Sequence, residues 1–266
     1  MARNGGNLQF HNHKKARQVL LEVDRNPSNY LIIHYSCESF YRVEDGRTPR
    51  ITSIAVLDFV SGQVASFSIH KTAEILGIPY NEISSSYDNI ERKMLDEYFY
   101  FVERHLDRTW IHLNMRDLNY GFAAIEHRYQ VLGGEPIIVP AGKKIDLGRL
   151  LSQFYGDGYA AHPHMDNLIA MNGITMKDYL TGGQEADAFE NREYNKLHLS
   201  TLRKVQVLES IVRLAAERKL KVDTKQYQWY GLSPQGIFEM MKDTWWGWAV
   251  TCVLSAFVGA WVNSIF

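Results

Sequence analysis

The side chains that could do chemistry fall into a few short groupings. His162 and His164, in "HPH", have the donor type of a transition-metal pair, but such a site needs a third ligand and none is adjacent. Lys143 with Lys144, and Arg203 with Lys204, offer the point charge and the planar fork that a phosphate takes, although basic pairs this short usually serve as solvated surface. His112 and His127 flank a strand–helix junction and read as satisfied core histidines rather than ligands. The two cysteines, Cys37 and Cys252, lie far apart in apolar settings and form neither a disulfide framework nor a zinc pair, which fits a reducing compartment. A formal net charge of −1 over 266 residues gives no global argument for nucleic acid and none against a local basic groove.

The elements that must position these groups follow from hydrophobic period and turn residues. Residues 1–28 are polar and basic, with a short helix expected over 16–23 and a stop at Pro27. Three strand-like runs follow at 30–35, 51–59 and 63–70, and Ser-Gly-Gln at 61–63 reads as the hairpin turn between the last two. Ile90, Leu95, Tyr98, Phe99, Val102 and Leu106 form a helical stripe. The short strand "RTWIHLN" then runs into a helix with Phe122, Ile125, Tyr129 and Leu132 on one face and a glycine stop. "EPIIVP" predicts a fifth strand, followed by helices around 146–155, 165–171 and 202–220. A hairpin meander followed by βαβ crossovers gives an α/β fold, a mixed five-stranded sheet with flanking helices. The expected plan is a polar extension over 1–28, a folded domain over 29–220, a linker over 221–233 and a helix from 234 to 266.

The final 22 residues, "WWGWAVTCVLSAFVGAWVNSIF", contain no Asp, Glu, Lys or Arg. A spanning helix takes ~20 apolar residues, and Trp245, Trp246, Trp248 and Trp261 stand at the two ends, where indoles favour the interfaces. A transmembrane helix is expected here. The start of the chain lacks the apolar core of a signal peptide, and Lys225 and Lys242 lie on the N-terminal side of the span. The expectation is therefore a single-pass, tail-anchored membrane protein with its soluble domain cytoplasmic. Gly247, Thr251, Ser255 and Gly259 recur every four residues, a small-residue stripe along which such helices associate into a homo-oligomer.

The strand order and four local stretches resemble the DEDD-type 3′–5′ exonucleases of the ribonuclease H-like superfamily, over about residues 29–220. In that family a first strand ends in Asp-x-Glu, a second motif opens a helix with His-Asn-x-x-Phe-Asp, and a late helix carries His and Asp with four residues in between. Their carboxylates hold two Mg²⁺ ions that activate water and stabilise the leaving oxygen. In "HYSCES", Glu38 matches the family's Glu, while Ser36 stands where the first Asp belongs. In "IHLNMRDLNYGF", Asn114 matches the Asn, the Asp falls on Leu118, and Asp117 is one position early, about 100° round a helix. "KIDLGRLL" around Asp146 resembles the connecting helix. In "HLSTLRKV", His198 matches the His and Arg203 takes the place of the metal-binding Asp.

A hard divalent cation wants several oxygen ligands, and an arginine in its cage repels it. The resemblance thus implies a degenerate site with no bound metal and no catalytic residue. Ser36, Glu38, Asn114, His198, Arg203 and Lys204 would line a groove for a nucleic-acid strand, with Glu38 expected to cap or to pair with Arg203. The leading reading is a membrane-tethered domain that binds nucleic acid, a nucleotide signal or a partner protein and acts through its tail. By analogy of architecture alone, bacterial antiviral defence effectors are built this way. An alternative is an active, Mg²⁺-dependent exonuclease with relocated ligands, Glu38, Asp117 and Asp146 with His198. A further alternative is a structural membrane adaptor.

Overall fold

The computed structural model describes residues 2–39, 48–115 and 120–243, with side chains from residue 8 onward, together with Cys252, Val253, Ser255, Ala256 and Ala260. In chain order the elements are α1 (Ala2–Arg25), β1 (Tyr30–Cys37), β2 (Ile51–Asp58), β3 (Val64–Ser68), α2 (Ile69–Ile75), α3 (Tyr87–Glu103), β4 (Thr109–His112), α4 (Phe122–Val131), β5 (Lys144–Asp146), α5 (Leu147–Tyr155), α6 (His164–Asn172), α7 (Gly182–Glu190), α8 (Tyr194–Ala216), α9 (Gln226–Tyr230) and α10 (Pro234–Lys242). The chain divides into a larger unit, residues 20–149 and 169–220, and a smaller one, residues 1–19, 150–168 and 221–266.

The larger unit holds a mixed five-stranded sheet in the order β3-β2-β1-β4-β5. β1 pairs antiparallel with β2 and parallel with β4; β2–β3 is antiparallel and β4–β5 parallel. This α/β architecture is the expected one, and its order and directions are compatible with a ribonuclease H-like fold. The β2–β3 hairpin turns where Ser-Gly-Gln predicted it: Asp58 Oδ1 accepts from Ser61 N at 2.9 Å, and Gly62 sits at φ +68°, where a side chain would strain the backbone.

β1 is buried on both faces because alternate residues meet different helices. Leu31, Ile33 and Tyr35 join Ile54, Val56 and Trp110 against α3 (Met94, Leu95, Tyr98, Phe99, Val102) and α4 (Phe122, Ile125, Tyr129). Each fully buried aliphatic or aromatic side chain in that layer contributes ~1.5–3 kcal/mol. A buried ion pair lies in the same layer. Arg128 of α4 meets Glu91 of α3 at 2.6 Å, and Glu91 Oε1 also accepts Ile51 N at 2.6 Å, tying both helices to the start of β2. On the opposite face α8 lies along β1 and β2, with Val205, Leu208, Ile211 and Val212 buried.

Several local expectations are corrected. "EPIIVP" is not a strand: Pro136 and Pro140 cannot donate to a ladder, Ile138 is exposed, and the place beside β4 is taken by Lys144–Asp146. Asp146 therefore ends β5 rather than opening a helix. α1 extends well before residue 16, since His13, Ala16, Leu20 and Val23 form one buried helical stripe. His70 falls in α2, not on β3, and α7 forms where no element was expected. His127 is exposed on α4, whereas His112 is buried and its Nδ1 accepts Met115 N at 3.2 Å.

In the smaller unit, the ring of His13 stacks on Phe154 at 4.4 Å and meets Tyr230 at 4.3 Å, and its Nδ1 lies 2.6 Å from the Phe154 carbonyl. α10 starts as Ser-Pro predicted, with Ser233 Oγ accepting Gly236 N at 3.1 Å. Among the described residues no helix is long and apolar enough to cross a membrane. The span expected over 245–266 lies almost wholly outside them, as do Gly247, Thr251 and Gly259 of the proposed stripe; Ser255 is helical and exposed.

Candidate functional site

The face of β1 that meets α8 changes character along the strand: Ile32 is followed by His34 and then Ser36. Across the β1–β2 ladder, Ser36 is opposite Ser53. α8 presents Thr201 and Lys204 to this polar end, both buried. α7 adds Glu185, and this carboxylate is the hub. Its Oε2 takes the Lys204 ammonium at 2.7 Å, while Oε1 accepts Ser36 Oγ at 3.1 Å and Ser200 Oγ at 2.8 Å. The ion pair is nearly dry, with side-chain exposures of 8% for Lys204 and 14% for Glu185.

Proton accounting shows what this network can do. Thr201 Oγ1 donates to the Leu197 carbonyl at 2.9 Å, so the 2.8 Å contact between Ser36 and Thr201 draws on the single Ser36 proton, as does Glu185. Ser200 Oγ accepts Leu180 N at 3.2 Å while donating to Glu185. The hydroxyls are committed and Ser36 is 2% exposed, so it does not present an open nucleophile. The Lys204 ammonium also sits 5.4 Å from the Tyr179 ring centre, a cation–π distance. Beside the pair, both ring nitrogens of His34 are buried without a hydrogen-bond partner. Burial, assisted by the Lys204 charge, holds its pKa well below the ordinary histidine value, so the ring is neutral at neutral pH.

A divalent cation on Glu185 would meet this fixed ammonium. At a separation of about 4 Å and an effective dielectric near 20, a unit and a double charge repel by ~8 kcal/mol. The carboxylate already has its cation. Among the described residues no three His, Cys, Asp or Glu side chains stand together so as to hold a metal ion, His162 and His164 included.

The parallel strands gather a second set. Glu38 follows β1, Asn114 follows β4 and Asp146 ends β5, so three expected site residues share the C-terminal edge of adjacent parallel strands, where α/β sheets bind ligands. Asn114 has φ +56°, and its Oδ1 and Asp146 Oδ1 converge on Gly148: a Cβ there would lie 3.1 Å and 3.3 Å from them. Glu38 is buried, its N–H bonding the Arg50 carbonyl at 2.8 Å and its Oε2 accepting Arg50 N at 3.4 Å. Asp117 lies outside the described residues.

Other expected residues are placed elsewhere. His198 Nδ1 bonds Ser53 Oγ on β2 at 2.7 Å, its ring meets His70 edge-on at 5.2 Å, and burial with the nearby Lys71 charge pushes its pKa down to about 3. Arg203 turns away from the strand, its Nε donating to the Lys177 carbonyl at 2.8 Å; the cation aimed at the network is its neighbour Lys204, and the acid it meets is Glu185, not Glu38. Of the other basic pair, Lys143 Nζ bonds the Asp107 carbonyl and Lys144 lies against Glu126 and the Phe122 ring. Glu185, Ser200, Thr201 and His34 were not singled out in the sequence. A signal for Glu185 did exist: Thr181 and Gln184 form a capping box that opens α7 and places Glu185 in its first turn.

No protein-family model matches the chain, and neither curated proteins nor solved structures yield a match to it.

Proposed function

We propose that this chain is a membrane-tethered, ribonuclease H-like domain that binds a phosphate-bearing ligand, nucleic acid or nucleotide, without cleaving it. The observation that carries the reading is the buried Lys204–Glu185 pair beneath the end of β1. On the resemblance, the protein's own cation would stand in the region where those exonucleases keep metal. The surrounding groups are hydroxyls and neutral imidazole rather than a carboxylate cluster, so this end of β1 carries less negative charge than metal-free carboxylates, which would repel a polyanion. Arg203, on the more exposed side of α8, supplies a fork for phosphate. The uncharged stretch 245–266 is the membrane tether, and ligand binding acts through it, the plan of membrane-directed defence effectors.

The test is a titration of the full chain, held in mild detergent, against labelled single-stranded DNA, single-stranded RNA and mononucleotides. Binding of at least one is expected, weakening with salt and reduced by Arg203→Ala. Absence of binding to all three removes the reading. A second reading, metal-assisted phosphodiester cleavage, is favoured by one feature, the shared strand edge of Glu38, Asn114 and Asp146. It predicts Mg²⁺- or Mn²⁺-dependent product in the same titration.

A further inference from the structure

The geometry points to α10 as a helix that rests on the bilayer surface, with Leu232, Ile237 and Phe238 in the interfacial lipid. This inference rests on the tether reading but adds a second membrane contact, outside the uncharged stretch. One side of α10 is already taken. A Cβ on Gly236 would come within 2.2 Å of the Tyr230 carbonyl oxygen and 2.8 Å of the Gly231 one, so α9 and its turn press directly on the α10 backbone. Ser233 Oγ, buried, caps the same turn. The apolar residues left outside are large: Leu232 is 73% exposed, Phe238 54% and Ile237 42%. Such an edge is costly in water unless something covers it.

The chain itself identifies lipid as the cover. Asp243, immediately after α10, is fixed by Tyr230 Oη at 2.6 Å and by Arg17 at 3.0 Å. Only Thr244 separates it from Trp245, where the uncharged stretch begins, and two residues reach at most ~7 Å. Whatever surface takes that stretch therefore lies within a few ångströms of the end of α10. Apolar faces of in-plane helices sink ~5–10 Å into the headgroup and acyl boundary, a matching depth. Lys242 fits the same plane: its ammonium lies 4.4 Å from the Phe238 ring centre, the stem along the apolar edge and the charge at its rim.

Depth-dependent quenching tests this on the full chain in phosphatidylcholine vesicles with nitroxides at the headgroup, the upper acyl chain or the bilayer centre. With Cys37→Ser, a bimane on native Cys252 reports the tether. With Cys37→Ser and Cys252→Ser, a bimane on Phe238→Cys reports α10, and one on Ile75→Cys, exposed in the larger unit, is the control. Position 238 is expected to be quenched about twofold or more by upper-chain nitroxides, and Cys252 most by central ones, with position 75 unaffected. Quenching at Cys252 with position 238 behaving like position 75 overturns the inference and leaves the tether standing. No quenching at either overturns both. Shielding of position 238 in detergent that grows with protein concentration identifies a second copy as the cover and also overturns it.

Discussion

Replacing Lys204 by methionine tests whether the pair beneath β1 is what the site is built on. Methionine keeps the unbranched stem and removes the charge, leaving Glu185 with only the hydroxyl donors Ser36 and Ser200. Removing one partner of a buried pair costs ~3–5 kcal/mol, because the other charge stays desolvated. Here the carboxylate retains two donors and 14% exposure, which places the loss at about 2–4 kcal/mol. Glu185→Gln alone strands Lys204 in the same way. The double variant removes both charges together and is expected within about 1–2 kcal/mol of the parent, well short of the sum of the two single losses. Urea unfolding at pH 7, followed by near-ultraviolet circular dichroism, measures all four corners. A second readout is the His34 ring: burial keeps its pKa low, but the Lys204 charge contributes, so His34 should titrate higher in Lys204→Met. A Lys204→Met loss below ~0.5 kcal/mol, the scale of a surface pair, would refute the reasoning, as would losses that simply add in the double variant.

Acid should weaken the fold early. His34 and His198 have folded pKa values depressed by burial, so the unfolded chain takes up protons first. The stability they support is complete above the unfolded value near 6.5 and is lost as pH falls below it, for His198 down to about 3. For His198 this costs up to about 2 kcal/mol between pH 6.5 and 5, with His34 adding in the same direction, and a flat urea midpoint over that window would contradict the assignment. In membranes, Gly259→Leu or Ser255→Leu should reduce tail cross-linking by placing bulk in a close helix contact, while Val253→Leu should not. Equal cross-linking of all three variants would remove the stripe.

The sheet was legible because its signals are local. Short apolar runs and turn residues fix β1, β2 and the hairpin at Gly62, and the apolar stripe of α3 follows from helical period. "EPIIVP" misled because an apolar run bounded by prolines looks like a strand in hydropathy but has too few donors for one, while Lys144–Asp146, with two charged residues of three, shows no strand signal and pairs because β4 offers an edge. At the site, Glu38, Asn114 and Asp146 share one sheet edge because each ends or follows one of three adjacent parallel strands, a grouping the motifs did not single out. The hub was not legible. Glu185 approaches Ser36 across 149 residues of sequence, and only the fold brings α7 beneath β1. The choice between Arg203 and Lys204 turns on about 100° of helix rotation, which the packing of α8 decides and a motif read along the sequence does not.

The most direct test of the central claim, that this domain holds phosphodiesters without breaking them, is a hydrolysis assay of the full chain with Mg²⁺ or Mn²⁺. Single-stranded and duplex DNA and RNA are the substrates, and Glu38→Gln is run beside the parent. With Lys204 already on Glu185, the account predicts no product from either protein, with binding retained in the parent. Metal-dependent product from the parent that disappears in Glu38→Gln would contradict it.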